Sequence, residues 1–154
     1  MTGELLTILL IEDNEDHAEL VRRSFADNHV ANQIYHVKDG EEALSYLFRR
    51  GNYSDLGNSP MPNLILLDLR LPKVDGIEVL REIKASESHK SIPVVILTSS
   101  SAENDIALAY SNYANSYLVK PVDFEKFTTM MKDLGYYWLA WNKNPLLAGP
   151  PPQR

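Results

Sequence analysis

The chain contains no cysteine, so disulfides are excluded and the redox compartment stays open on this ground. No apolar stretch approaches the roughly 20 residues that a membrane-spanning helix requires. No basic residue precedes the first short apolar run and acids follow it at once, so the N-terminus does not read as a signal peptide, and the cytoplasm is the expected location. Basic residues are too few and too scattered for a nucleic-acid surface: 15 Lys and Arg stand against 21 Asp and Glu, for a formal net charge of -6. The histidines His17, His29, His36 and His89 lack metal-ligand spacing and read as surface or edge residues. Neither an internal repeat nor an internal low-complexity segment appears. What is present is an ordinary globular composition, 154 residues with 44% hydrophobic and 23% charged side chains, enough for one domain with a sizeable core.

Strand-like and helix-like segments alternate along it. Residues 5–11 form a continuous apolar, β-branched run, the mark of a strand buried on both faces. Residues 15–28 carry Ala18, Val21 and Phe25 at helical spacing, with Asp13 or Asn14 as cap and acids in the first turn. A short strand over 33–37 follows, then a helix opened by Asp39-Gly40-Glu41-Glu42 with Ala43, Leu44, Leu47 and Phe48 as its stripe. Residues 51–62 read as a loop by their Gly, Asn, Ser, Asp and Pro content. The pattern continues with a strand over 63–68, a turn over 71–76, a helix over 77–85 and a strand over 92–97. A helix capped by Ser100 or Ser101 runs to Tyr110, a strand covers 116–119, and Asp123 caps a last helix with Phe124, Phe127, Met131 and Leu134 on one face. Five β-α repeats with right-handed crossovers predict an α/β, flavodoxin-like, doubly wound (βα)5 fold. Its sheet is parallel and five-stranded, in the order 2-1-3-4-5, with a ligand crevice at the carboxyl ends of strands 1 and 3.

Chemistry-bearing residues sit at those ends. The first strand runs into Glu12-Asp13, the third into Asp68, the fourth into Thr98 and the fifth into Lys120-Pro121. A nucleotide or flavin site would place a Gly-rich or hydroxyl-rich loop after strand 1. Here the loop is Glu12-Asp13-Asn14-Glu15-Asp16, which repels anions and attracts a hard cation. Any one acid alone reads as helix capping or dipole compensation. Three converging carboxylates repel unless a cation joins them, and Mg²⁺ suits such a set. Asp13 and Asp68 are assigned as direct metal ligands, Glu12 as one acting through water, and the Arg70 backbone carbonyl as a completing ligand. A Lys at a buried strand end needs an anion; Asp68 supplies one and a phosphoryl oxygen could join it. Thr98 offers a hydroxyl to phosphate. Pro121 makes a cis Lys120–Pro121 bond affordable. The reaction class is phosphoryl transfer to a carboxylate, with Asp68 as nucleophile and the cation and Lys120 neutralising the developing charge.

Ile11-Glu12-Asp13-Asn14, the run from Leu66 to Gly76, Leu97-Thr98-Ser99-Ser100 and Val119-Lys120-Pro121 together resemble the receiver domain of two-component response regulators. The resemblance covers roughly the first 135 residues. It implies that Asp68 accepts phosphate from a phosphohistidine on a sensor histidine kinase. It also implies that Thr98 then moves toward the phosphoryl group, that Tyr117 turns inward, and that the face built from helix 4, strand 5 and helix 5 changes. Glu12 stands where the family often has Asp, Ser99 where many members carry Ala, and Tyr113 where relatives often have Gly. Tyr113 therefore occupies a turn that could require positive φ. The long loop with Tyr53-Ser54-Asp55-Leu56 and the segment Tyr137-Trp138-Leu139-Ala140-Trp141-Asn142 resemble the small regulators paired with phytochrome histidine kinases.

A receiver over 1–141 with an extended C-terminal helix and a flexible Pro-rich tail over 142–154 is the expected organisation. No helix-turn-helix, linker or second catalytic domain is legible after Lys120, so the expected output is a protein contact. The resemblance to phytochrome-paired regulators implies a homodimer through the helix 4–strand 5–helix 5 face, and the aromatic segment 136–141 invites a partner or a second copy; no nucleic-acid or membrane partner is expected. The chain is not expected to be a turnover enzyme; its chemistry is self-phosphorylation and dephosphorylation at Asp68. The alternatives are a phosphorylation-independent pseudo-receiver that acts only as an interaction module, a Mg²⁺-dependent phosphatase, and a flavin carrier. Retention of Asp13, Asp68, Thr98 and Lys120 argues against the first. Arg70 in place of a second acid, and the absence of a cap insertion, argue against the second, and the acidic first loop against the third.

Overall fold

The computed structural model describes residues 6–26, 32–57, 61–135 and 137. Five strands and five α-helices alternate: β1 (Leu6–Ile11), α1 (Glu15–Ala26), β2 (Asn32–Val37), α2 (Gly40–Leu47), β3 (Leu64–Leu67), α3 (Gly76–Ala85), β4 (Val94–Thr98), α4 (Glu103–Ser111), β5 (Ser116–Val119) and α5 (Phe124–Gly135). The strands form one parallel sheet in the order β2-β1-β3-β4-β5, as the alternation requires.

The sheet separates two cores. Ile8, Leu10, Leu64, Leu66, Val95 and Leu97 point to one face, where Ala18, Val21 and Phe25 of α1 and Phe127, Met131 and Leu134 of α5 cover them. Leu9, Ile11, Ile65, Leu67, Val94 and Ile96 point to the other, under α2, α3 and Ala109 of α4. Burial on both faces is why residues 8–11 of β1, all of β3 and residues 94–97 of β4 read as unbroken apolar runs rather than alternating ones.

Caps fix where helices begin. The Asn14 side chain accepts the His17 N–H (3.0 Å), the Asp39 side chain accepts the Glu42 N–H (2.7 Å), and Asp123 accepts the Glu125 and Lys126 N–H groups (2.8 and 3.1 Å). The predicted Ser100 or Ser101 cap of α4 is replaced by Ala102. The Ser100 hydroxyl donates to Asp105 of that helix at 2.5 Å, and its oxygen accepts the Ala102 N–H at 3.3 Å, ahead of the helix rather than within its first turn.

Four further expectations are corrected. Residues 51–56 of the expected loop form a 3₁₀ helix, held by the Tyr53 N–H to the Arg50 carbonyl (3.0 Å) and packed through Tyr53 and Leu56 on the α2 side of the core. Phe124 faces solvent: it is the first residue of α5, directly after the Asp123 cap, and the buried stripe begins one turn later at Phe127. His89 is buried, its Nε2 2.7 Å from the Leu47 carbonyl and its Nδ1 2.7 Å from the Ser86 hydroxyl, a joint between the ends of α2 and α3 that a reading of histidine spacing does not see. No cis peptide bond occurs among the described residues, so Lys120–Pro121 is trans, in line with the modest trans preference of X–Pro bonds. Tyr113 does take the left-handed conformation, φ 68°, with its side chain in solvent. The expected aromatic residues 136 and 138–141, the tail over 142–154, and His29 lie outside the described residues; Tyr137 is exposed. No helix among the described residues is long and apolar enough to cross a membrane.

Candidate functional site

Parallel pairing sets the strand ends side by side. Ile11 is in register with Leu67, Leu67 with Ile96, and Thr98 with Val119. The residues at and just beyond these positions are therefore carried to one edge, and the ladder runs on into them. The Asp68 N–H donates to the Ile11 carbonyl (3.1 Å) and the Lys120 N–H to the Thr98 carbonyl (2.7 Å). Glu12, Asp68, Thr98 and Lys120 are all buried, whereas Asp13 faces solvent. Carboxylate oxygens of Glu12, Asp13 and Asp68 lie within 4.8 Å of one another. The structure thus brings together Glu12, Asp13, Asp68, Thr98 and Lys120 as the strand ends predict.

Lys120 is the counter-charge. Its ammonium donates to Glu12 Oε1 and, at 3.0 Å, to Asp68 Oδ2. The second oxygens of both acids take backbone donors: Glu12 Oε2 from the Asn14 N–H (3.1 Å) and Asp68 Oδ1 from the Arg70 N–H (3.1 Å). The two acids are tuned apart. Burial would raise Asp68, but Lys120, the Arg70 N–H and the Thr98 hydroxyl outweigh it and hold its carboxyl below the usual carboxylate range. Burial pushes Glu12 up to about 7 against the pull of Lys120. The two shifts run in opposite directions, so Asp68 is the more readily ionised of the pair. Three acids against one ammonium leave an unbalanced negative charge, and the donor set is all oxygen. These residues fit a hard divalent cation held by Asp13 and Asp68, with Glu12 beside them.

Gly76 sets the distance of the loop after β3 from α3. A Cβ there would lie 2.4 Å from the Asp68 carbonyl oxygen and 2.5 Å from Leu69 Cα, so only hydrogen allows the helix to approach the strand end this closely.

Two residues of the site, Asp105 and His17, escaped the sequence reading, and Tyr117 was expected there without its partner. Asp105 joins Arg70 and Ser100 across the mouth of the site, accepting from the Arg70 guanidinium (2.6 Å) and the Ser100 hydroxyl (2.5 Å). An acid in the first turn of α4 gave no signal beyond dipole compensation. Tyr117 is half-buried and its hydroxyl donates to the Ser100 carbonyl at 2.9 Å, which ties β5 to the loop after Thr98. Its position was legible but the Ser100 partner was not. His17 lies on α1 with its Nδ1 3.0 Å from Lys120 Nζ and its ring stacked on Phe127. Burial, and then Lys120, lower its pKa from the ordinary histidine value.

Comparison with known proteins agrees with this geometry. Residues 8–132 match the response regulator receiver domain. The chain is 46% identical over 138 residues to "Probable methanogenesis regulatory protein FilR2" of Methanothrix harundinacea, covering 90% of this chain and 86% of that protein. It is 40% identical over 132 residues to the response regulator Rcp1 of Synechocystis, covering 86% of this chain and 88% of that one. A crystal structure of the Mn²⁺-bound form of Rcp1 superposes with a TM-score of 0.86 at 38% identity, over 91% of this chain and 99% of that one. The phosphorylated cyanobacterial phytochrome response regulator RcpA superposes with a TM-score of 0.87 at 38% identity, over 92% of this chain and 99% of that one. With a receiver profile over most of its length and a receiver's residues at its strand ends, the chain belongs to the response regulator receiver family, and within it is similar to the phytochrome-associated single-domain regulators.

Proposed function

We propose that this chain is a phosphorylation-switched signalling module in which Asp68 accepts a phosphoryl group from a phosphohistidine of a sensor histidine kinase, of the phytochrome type. The observation that carries this reading is a buried carboxylate placed between an ammonium, a hydroxyl and two further acids at one sheet edge. The Asp68 carboxylate attacks phosphorus, an O–P bond forms as the N–P bond breaks, and the leaving imidazole keeps the electron pair and takes a proton. Lys120 and the Thr98 hydroxyl bind phosphoryl oxygens as charge builds on them. Asp13, Asp68, Glu12 and the Arg70 carbonyl would hold Mg²⁺, which would supply charge neutralisation there. Mn²⁺ in the Rcp1 structure supports a divalent cation at such a site.

Movement of Thr98 toward the phosphoryl group loosens the Ser100 loop and with it the Tyr117 hydroxyl, so the α4–β5–α5 face changes. Leu108, Tyr110, Val119 and Phe124 are exposed on these elements, which supports a homodimer through that face, with residues 136–141 completing a receiver that extends over 1–141. Nothing in the site calls for turnover of a second substrate, and a cytoplasmic location suits a partner of a kinase's catalytic core. FilR2 is named for methanogenesis rather than for light, so the phosphodonor is tested separately from the chemistry.

Intact-mass spectrometry after incubation with acetyl phosphate tests the chemistry. A Mg²⁺-dependent gain of one phosphoryl group, lost in Asp68→Asn, is expected. No gain in the wild type, from acetyl phosphate or from an autophosphorylated kinase, favours the phosphorylation-independent interaction module instead. Faster transfer from a phytochrome kinase than from unrelated kinases tests the donor, and sedimentation with and without phosphorylation tests the dimer.

A further inference from the structure

An ammonium group has three hydrogens, and Lys120 has three acceptors. Two are the carboxylates of Glu12 and Asp68; the third is His17 Nδ1, at 3.0 Å. The Lys120 side chain is 4% exposed, so water has little access to complete its shell. An acceptor at Nδ1 is an unprotonated nitrogen, which places the imidazole proton on Nε2. The lowered histidine pKa is consistent with that neutral form. A third carboxylate in this place would deepen the negative charge that the phosphoryl donor has to approach; a neutral imidazole accepts the hydrogen without doing so. The ring is held by its stack on Phe127 at 5.8 Å between centroids, and the main chain that carries it by the Asn14 cap on the His17 backbone N–H.

We infer that His17 is a positioning residue for phosphoryl transfer: it holds the Lys120 ammonium from the α1 side so that the group turns from Asp68 to a phosphoryl oxygen without leaving the site. This rests on Asp68 being the phosphoacceptor. Once Asp68 is esterified its carboxylate charge is gone and its claim on Lys120 weakens. Glu12 and His17 keep two hydrogens, and the third is free to follow the phosphoryl group. The ammonium pivots about two fixed contacts. Without His17 one contact remains, and the Lys120 side chain has rotamers to explore before it meets the incoming charge.

The test compares acetyl phosphate phosphorylation rates at saturating Mg²⁺ for wild type, His17→Leu and His17→Asn, each also in a Lys120→Ala background. Leu keeps bulk against Phe127 and removes the acceptor. Asn carries a side-chain oxygen near the place of Nδ1 and loses the stack. The acceptor role predicts a rate about five- to tenfold lower for Leu, the worth of one ordinary hydrogen bond, and recovery of most of it by Asn. In the Lys120→Ala background the Leu substitution has no further effect. A Leu variant as fast as wild type, an Asn variant as slow as Leu, or an equal Leu effect without Lys120 overturns the inference. If wild type itself takes no phosphoryl group, the underlying reading has failed, and imidazole ¹⁵N spectra still decide the contact. An unprotonated Nδ1 whose shift moves on Lys120→Ala supports it; a protonated or unmoved Nδ1 overturns it.

Discussion

Substituting Gly76 by alanine perturbs the site through the backbone alone. The new Cβ would meet the Asp68 carbonyl oxygen at 2.4 Å, Leu69 Cα at 2.5 Å and the Leu69 carbonyl oxygen at 2.9 Å. Ordinary carbon contacts are about 3.5–4.0 Å, so the loop after β3 must retreat by roughly 1 Å. All three obstacles are main-chain atoms, and no rotamer change relieves them. Overpacking of this kind costs about 1–3 kcal/mol, and here it falls toward the top of that range. Exchanging glycine for alanine returns about 0.4–1 kcal/mol through a less flexible unfolded chain. The net expectation is a loss of about 1–2 kcal/mol, read as a lower urea midpoint at unchanged slope. The functional loss is larger. The displaced atoms belong to the residue that carries the nucleophile and to Leu69 next to it, and a misplacement of about 1 Å costs on the order of a hundredfold in rate. Acetyl phosphate phosphorylation at saturating Mg²⁺ should fall by far more than the small unfolded fraction explains. A Gly76→Ala protein with both the wild-type urea midpoint and the wild-type rate refutes the reasoning, because α3 would then not be pressed against the end of β3.

Other substitutions test other parts. Tyr113→Gly relieves a left-handed backbone, φ 68°, at an exposed side chain. About 1–2 kcal/mol of relief against about 0.5–1 kcal/mol of added chain entropy predicts a small gain in urea stability, and a loss would show that the Tyr113 side chain contributes more than its exposure suggests. Lys120→Ala leaves Glu12 and Asp68 facing each other, both buried; removing one partner of such a pair costs about 3–5 kcal/mol. Mg²⁺ should recover much of that, so its stabilising shift in a thermal melt is expected to be larger in Lys120→Ala than in wild type; an equal shift counts against a cation at these acids. Lys84 donates to the Lys90 and Ile92 carbonyls at 3.0 and 2.8 Å, and burial holds its pKa below the usual lysine value. Above that lowered value the folded chain has shed a proton that the unfolded chain keeps up to roughly pH 10.4. The Lys84 contribution to stability therefore rises with pH across that interval, and a constant difference between wild type and Lys84→Met through it contradicts the assignment.

The parts of the site legible in the sequence are those set by strand ends. A strand buried on both faces has no polar residue to spare, so the first acid, hydroxyl or amine after an apolar run announces the edge of the sheet. Glu12, Asp68, Thr98 and Lys120 each stand in that place, and parallel order brings them together. Contacts made from helices and loops left no such mark. His17 reaches Lys120 from α1 across a sequence separation of 103, and its helical position alone is that of many surface residues. Asp105 reads as a first-turn acid until Arg70 and Ser100 are seen to share it. His89 looks like a stray histidine until the Leu47 carbonyl, at the end of another helix, is placed beside it. The 3₁₀ helix after α2 was hidden by loop-like composition, because the stabilising contribution comes from two side chains, Tyr53 and Leu56, reaching the core.

The same strand ends bear on how the chain finds its pairing. All four residues of β3 and their partners Ile8–Ile11 on β1 are apolar and buried. Shifting β3 by one residue along β1 would exchange the two cores yet still place hydrocarbon against hydrocarbon, so the usual penalty against a slipped strand is missing here. Polar residues at the two limits supply it. Asn63 exchanges two hydrogen bonds with Thr7, its N–H to the Thr7 carbonyl at 2.7 Å and its side-chain oxygen from the Thr7 N–H at 2.8 Å. At the other limit Asp68 meets Lys120. A slip in one direction pulls the carboxylate in between the helical layers, and a slip in the other parts Asn63 from Thr7. The proposed phosphoacceptor is thus also an end-stop for strand alignment. An apolar residue at position 68 would cost more than signalling: it would lengthen the greasy run and leave the central strand with one fewer reason to stop where it does.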